Sequence, residues 1–215
     1  MLEKTINIIR ELEKSEYSTD AANAKLFFPI KELRAEKSDI DKNYLCEMYP
    51  PLTDGQIDEY SSAYMHYFPE ELKQLYKYTN GIRVFDKRIS IGGLEPQQRL
   101  RPTHGGREYM PIHRIDSSGN SQRHKKYWGD GRLFFAEYTM EEAPNKFVYV
   151  DGMDPSPIKP VYACFGGSEE VLESWDSIDD WFSSEYEKYM QKFKKKEYKI
   201  ISYGDGILKH MYFSD

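Results

Sequence analysis

Five histidines (His66, His104, His113, His124 and His210) and two cysteines (Cys46 and Cys164) are the side chains of this 215-residue chain best suited to metal binding or nucleophilic chemistry. A zinc or iron centre needs its ligands at short repeated spacings, such as two histidines one helical turn apart with an acid between, and none of the five falls in such a pattern. Neither cysteine has a histidine close in sequence, so a Cys–His pair can arise only through folding. The glycine pairs Gly92-Gly93, Gly105-Gly106 and Gly166-Gly167 lack the lysine and the strand-to-helix context of a phosphate cradle, and read as turns. There is no nucleophile elbow. No catalytic residue, no metal ligand and no cofactor site is assigned.

Paired carboxylates occur at Glu141-Glu142, Glu169-Glu170 and Asp179-Asp180, but adjacent acids on a helix or loop point apart and do not make a glycosidase pair. Charge distribution is more informative than any pair. From Pro160 to Glu187 there are eight acids and no lysine or arginine, whereas residues 97 to 132 hold eight bases against three acids. A bipolar surface follows. Its acidic side offers a basic protein, such as a nuclease with a substrate groove, a complementary docking face and an electrostatically steered approach. Half of that excess is equally the ordinary negative bias of a helix N-terminus. Glu169, Glu170, Glu173, Trp175, Asp176, Asp179 and Asp180 are the candidate contact residues, with tryptophan a favoured interface anchor. Trp181 lies on the apolar face of a helix and reads as core. The basic run KFKKKEYK (192 to 199) sits where a helix C-terminus welcomes positive charge.

The elements that must hold these residues are legible from period and caps. Leu2, Ile6, Ile9 and Leu12 recur at helical spacing in the first turns, a helix that either caps the core or meets a partner. Ser15 to Asn43 reads as an irregular connection with one short helix at KLFFPIKEL. In PPLTDGQIDEY, Thr53 and Gln56 stand in capping-box spacing with Leu52 and Ile57 as the flanking apolar pair, so a helix runs from about Asp54 to Tyr67. Pro69, Glu70 and Glu71 open a second helix that Asn80-Gly81 ends, because the turn needs residues tolerant of a left-handed backbone. The period then changes to two. Short strands follow around Val84 and Ile91, then LFFAEY (133 to 138), KFVYVD (146 to 151) and PVYACF (160 to 165), after a long loop region at 95 to 132 with one strand near MPIHRI. ESWDSIDDWFSSEYEKYMQKF is the strongest helix, capped by Asp176 or Ser177, and YKIISY with ILKHMYF forms a closing hairpin.

Helices, antiparallel strands, a helix and a hairpin, without strand–helix alternation, make an α+β fold: a mostly antiparallel sheet of about five to six strands with helices packed against it. The chain divides into a helical extension (1–49), an α+β domain (50–193) and a C-terminal β-hairpin extension (194–215). A formal net charge of −6 disfavours direct binding to nucleic acid. The N-terminal segment has no uninterrupted apolar stretch and no 18-residue apolar run occurs, so the expectation is a soluble, cytoplasmic protein without a membrane segment. Two cysteines are too few for a disulfide framework and read as buried apolar fillers.

Taken in order, these pieces resemble the SUKH superfamily, named for its Smi/Knr yeast cell-wall regulators and rich in bacterial toxin-immunity members. PPLTDGQIDEY with FPEELKQLYKYTNGI is similar to the family's opening helices and their Asn-Gly turn, here Asn80-Gly81. VFDKRISIGGL resembles the strand leaving that turn. LFFAEY, KFVYVD with Asp151, and PVYACF resemble the central strands, and ESWDSIDDWFSSEYEKYM the closing helix from Trp175 to Trp181. The resemblance spans roughly residues 50 to 190, with the 94–132 insert departing from the compact pattern. It implies a non-catalytic protein-binding domain, and in the bacterial setting an immunity protein that neutralises a cognate, basic protein toxin. A regulatory scaffold of the Smi/Knr kind is the alternative.

Overall fold

The computed structural model describes residues 2–14, 17–21, 24–29, 44–62, 67–86, 88–94, 131–140, 145–166, 168–203 and 208–213. Its centre is a nine-stranded sheet in which every strand pairs antiparallel with the next in sequence. The strands are β1 (Tyr17–Ala21), β2 (Ala24–Pro29), β3 (Tyr44–Met48), β4 (Ile82–Val84), β5 (Ile89–Ile91), β6 (Arg132–Tyr138), β7 (Lys146–Asp151), β8 (Val161–Phe165) and β9 (Glu173–Trp175). Among the described residues the helices are α1 (Glu3–Lys14), α2 (Asp54–Ser62), α3 (Glu70–Tyr76) and α4 (Ile178–Lys194), and β10 (Tyr198–Tyr203) with β11 (Leu208–Phe213) forms a separate hairpin.

The fold is α+β, with a larger sheet than the five to six strands expected. The difference lies mainly at the N-terminal end. The stretch from Ser15, expected to be irregular with a short helix at KLFFPIKEL, instead supplies β1 and β2, and YLCEM forms β3. Polar residues interrupt β1, which pairs with β2 as a local hairpin, and β3 joins the rest of the sheet through a distant strand: Cys46 faces Val84 and Met48 faces Ile82. Two helix limits also differ. Tyr67 is outside α2, its N–H donated to the Gly152 carbonyl at 2.8 Å, and α3 ends at Tyr76, short of Asn80-Gly81. The closing helix starts at Ile178 behind Ser177, one of the two caps expected, while Glu173–Trp175 before it is a strand on β8. The expected strand near MPIHRI and the whole basic 97–130 stretch lie outside the described residues.

One face of the sheet meets the helices in a continuous core. Alternate positions Ile82, Val84, Leu133, Phe135, Val148, Val150 and Val161 join Ile9 and Leu12 of α1, Leu72 and Leu75 of α3, and Trp181 and Tyr189 of α4. The period of two puts these strand residues on one side, and removing their apolar surface from water drives the assembly. Trp181 is fully buried, its Nε1–H donated to Tyr138 Oη at 2.7 Å and its ring edge-on to Phe135. The opposite face carries a small cluster of Phe134, Tyr149 and Cys164, flanked by Phe147 and Tyr162.

The chain beyond α4 is part of the same core. Met211 and Phe213 of β11 are buried, and Phe213 packs against Phe85, Tyr189 and Tyr198. The β4–β5 turn carries non-glycine left-handed residues, Phe85 (φ 57) and Asp86 (φ 53). That conformation is disfavoured for a bulky side chain. It places the Phe85 ring in the aromatic cluster and the Asp86 carboxylate where it accepts the Met211 N–H at 2.8 Å.

Candidate functional site

The β8–β9 connection, β9 and the entry and first turn of α4 hold all seven residues singled out from the acidic stretch, and the structure sorts them into two groups. Glu169, Glu170, Glu173 and Asp176 are exposed and Trp175 is half-buried against the core. Asp179 and Asp180 turn the other way, towards α1.

Asp179 is buried, and its carboxylate accepts the backbone N–H groups of Lys4 at 3.1 Å and Thr5 at 2.7 Å. It caps α1 from another helix, satisfying donors that have no partner within the helix. Asp180 pairs with the Lys4 ammonium at 2.6 Å and accepts from Ser177 Oγ at 2.9 Å. The hydrogen bond from Lys4, then that from Ser177, holds its carboxyl below the usual aspartate range. Ser177 is the N-cap of α4, its Oγ accepting the Asp180 N–H. The next donors of α4, the N–H groups of Ile178 and Asp179, go to the buried Glu71 carboxylate at 3.2 and 3.4 Å. Burial pushes the Glu71 carboxyl up, against the opposing pull of those two donors. One carboxylate from α3 therefore anchors α4, and one from α4 anchors α1. Glu185, further along the acidic stretch, is buried and pairs with Lys188 at 3.3 Å.

The same stretch also exposes apolar side chains that charge counting did not find. Phe165, Val171 and Leu172 are 38, 48 and 37 % exposed. They sit among Glu169, Glu170 and Glu173, and the only trace in the sequence is the Val171-Leu172 pair enclosed by acids. The frame is held firmly. Leu172 N–H donates to the Ala163 carbonyl at 2.8 Å, Arg132 reaches the Ser168 and Glu169 carbonyls at 3.4 and 3.3 Å, and Lys146 pairs with Glu173 at 3.1 Å. β9 is the last strand of the sheet, so these exposed acidic and apolar residues lie along a sheet edge.

The structural positions are also accounted for. Asn80 Nδ2 donates to the Leu94 carbonyl at 2.9 Å while its Oδ1 accepts the Leu94 N–H at 2.7 Å, so an amide side chain stands in for a strand partner. Gly81 has φ +104, the left-handed turn expected of it. Asp151 is exposed and its Oδ1 accepts the Met153 N–H at 2.8 Å. Trp181 is core.

Cys46 and Cys164 are both buried. Burial pushes the Cys46 thiol up to about 12 and raises Cys164 as well, the reverse of what a nucleophile needs. Neither thiol should react with a thiol-specific reagent in the native protein at neutral pH, and both should react in denaturant. Rapid native labelling of one thiol per chain would contradict this. Among the described residues no group of three or more His, Cys, Asp or Glu is arranged to hold a metal ion, and no helix is long and apolar enough to cross a membrane. The side chains of all five histidines lie outside the described residues.

The model of the SMI1 / KNR4 family (SUKH-1) matches residues 51–184. That span begins just before the α2 capping box and ends within α4, so α1, β1–β3 and the β10–β11 hairpin lie beyond it. Comparison with curated proteins and with solved structures gives no match.

Proposed function

The chain belongs to the SMI1 / KNR4 family (SUKH-1), and from that premise we propose that it is a non-catalytic protein-binding domain, an immunity protein that occludes a cognate basic toxin in the cytoplasm. The observation that carries this reading is the exposed edge from the end of β8 to β9, which presents the apolar side chains of Phe165, Val171 and Leu172 together with the exposed acids Glu169, Glu170 and Glu173. An apolar centre inside a charged rim is the usual anatomy of a specific protein interface. Desolvated apolar anchors supply most of the affinity, and the rim steers a partner of opposite charge and excludes others. Asp179 and Asp180 contribute indirectly, by holding α1 against α4.

The test is parallel co-purification of the wild type and the E169K/E170K/D176K variant from the native host, with mass spectrometry of whatever stays bound. The expected result is a basic protein retained by the wild type, bound about tenfold or more weakly by the variant, with the largest change in association rate at low salt. Because the three side chains are exposed, the variant should keep its stability within about 0.5 kcal/mol of wild type. Equal retention by both proteins, or recovery of small metabolites alone, would refute the proposal. A set of several non-toxin partners retained equally well would favour the regulatory-scaffold alternative.

A further inference from the structure

At the other end of β8 the chain builds a second exposed surface that the acidic edge does not include. The connection from β7 to β8 reads GMDPSPIKP over residues 152 to 160, and three prolines restrict its backbone. Asp151 Oδ1 accepts the Met153 N–H and Asp154 Oδ1 accepts the Ser156 N–H, each at 2.8 Å, giving two successive side-chain-closed turns. Gly152 donates to the Gly131 carbonyl at 2.6 Å and accepts the Tyr67 N–H at 2.8 Å.

The loop is locked from inside by a lysine. Lys159 is 1 % exposed, and its ammonium donates to the carbonyl oxygens of Tyr67 at 2.7 Å, Asp151 at 3.0 Å and Asp154. A buried ammonium is costly unless its donors are met, and here three backbone carbonyls meet them. The outer side of this locked loop is apolar. Met153 is 62 % exposed, Tyr67 57 % and Ile158 50 %, and the Lys159 Nζ lies 5.9 Å from the centre of the Tyr67 ring, which ties that ring to the loop. Asp151 and Asp154 border the three side chains, and the hydrogen bonds from Ser156 hold the Asp154 carboxyl below its usual range, so it stays charged.

A loop that only joined two strands would need neither a buried ammonium nor exposed apolar tips. Rigid apolar side chains on a preformed frame are what lowers the ordering cost of binding a partner. The surface lies away from the Glu169–Glu170 part of the acidic edge. Val161 faces Trp175 at this end of β8, with Asp176 next to it, whereas Phe165 ends β8 about 13 Å along the strand and Glu169 and Glu170 follow it.

We infer that Tyr67, Met153 and Ile158, framed by Asp151 and Asp154, form a second preformed docking surface for a protein whose apolar cleft is rimmed by lysine or arginine. The two acids select that rim, and the three apolar side chains enter the cleft. This surface adds to the acidic edge and does not depend on the partner being a toxin.

The experiment uses a random peptide library displayed on phage and selected on the full-length chain. The expected peptides combine an apolar pair with basic residues, and their affinity falls at least about tenfold on M153D/I158D and on Y67D, while E169K/E170K changes it less than about twofold. The Met153 and Ile158 side chains are exposed, so circular dichroism and melting temperature of M153D/I158D should match the wild type. Peptides lost on E169K/E170K but retained on M153D/I158D would overturn this inference and leave the acidic edge standing. Peptides without basic residues, or no enrichment at all, would overturn it too.

Discussion

Gly93→Ala is expected to destabilise the protein by about 3 kcal/mol, whereas the same change at Gly55 should stabilise it by about 0.5 kcal/mol. A Cβ at Gly93 would lie 2.4 Å from the Asn80 carbonyl oxygen and 2.7 Å from its Oδ1, inside any allowed contact. Neither atom can yield cheaply. The Asn80 amide is fixed by two hydrogen bonds to Leu94, its own N–H donates to the Pro50 carbonyl at 3.2 Å, and Gly81 immediately after it already has a left-handed backbone. Relieving the clash therefore means separating the turn at Asn80 from the segment that follows β5. Gly55, in the first turn of α2, has nothing within 4 Å of a Cβ, so alanine there only removes freedom from the unfolded chain. Urea unfolding of both variants checks the pair, and a Gly93→Ala protein within 1 kcal/mol of wild type would show that this crossing is looser than its geometry states.

That contrast shows how far local reading carries. The turn at Gly81 was legible because its positive φ is a local demand that glycine meets, although α3 itself ends earlier, at Tyr76, with Lys77 as a right-handed C-cap. The Thr53–Gln56 box was legible for the same reason, and its reciprocal bonds form, Thr53 N–H to Gln56 Oε1 at 3.0 Å and Gln56 N–H to Thr53 Oγ1 at 3.3 Å. β6, β7 and β8 were legible because short β-prone runs of five to seven residues, separated by polar turns of antiparallel length, leave few other options. The first strands were not, since β3 also pairs with a strand well further along the chain, as in the pairing of Cys46 with Val84.

The acidic stretch illustrates the same boundary at the level of the site. Its charge was countable, but the direction of each carboxylate was not, because it is set by elements far away in sequence. Asp179 is occupied by α1, which lies 174 residues away, and Glu71 by α4 across 107 residues. A carboxylate that meets another helix's free N–H groups is written no differently from one that meets water. The exposed Phe165, Val171 and Leu172 escaped for the converse reason: apolar residues near a strand end read as core until the neighbouring layer is known to stop short of them.

Lys159→Met is the second large effect expected, a loss of about 3 kcal/mol concentrated in the β7–β8 loop. Methionine has nearly the same reach and returns the desolvation cost of the ammonium, which favours the variant. It also leaves the carbonyls of Tyr67, Asp151 and Asp154 converging on one point without a donor, each missing acceptor bond costing on the order of 1 kcal/mol or more. Three such losses, joined by repulsion between the aligned carbonyl dipoles, outweigh the gain. Burial lowers the Lys159 pKa from its usual 10.5, against the pull of Asp154 and Asp151. Across the window between that lowered value and 10.5 the unfolded chain binds the extra proton, so this group adds stability as pH rises and loses it as pH falls. The stability gap between wild type and Lys159→Met should therefore widen as pH is raised through that window. Amide exchange at Tyr67 and Gly152, whose N–H groups lie on either side of the locked loop, should accelerate more than exchange in β6. A variant with unchanged melting and unchanged exchange at those two amides would show that the three carbonyls find other donors and that the ammonium is not what holds the loop.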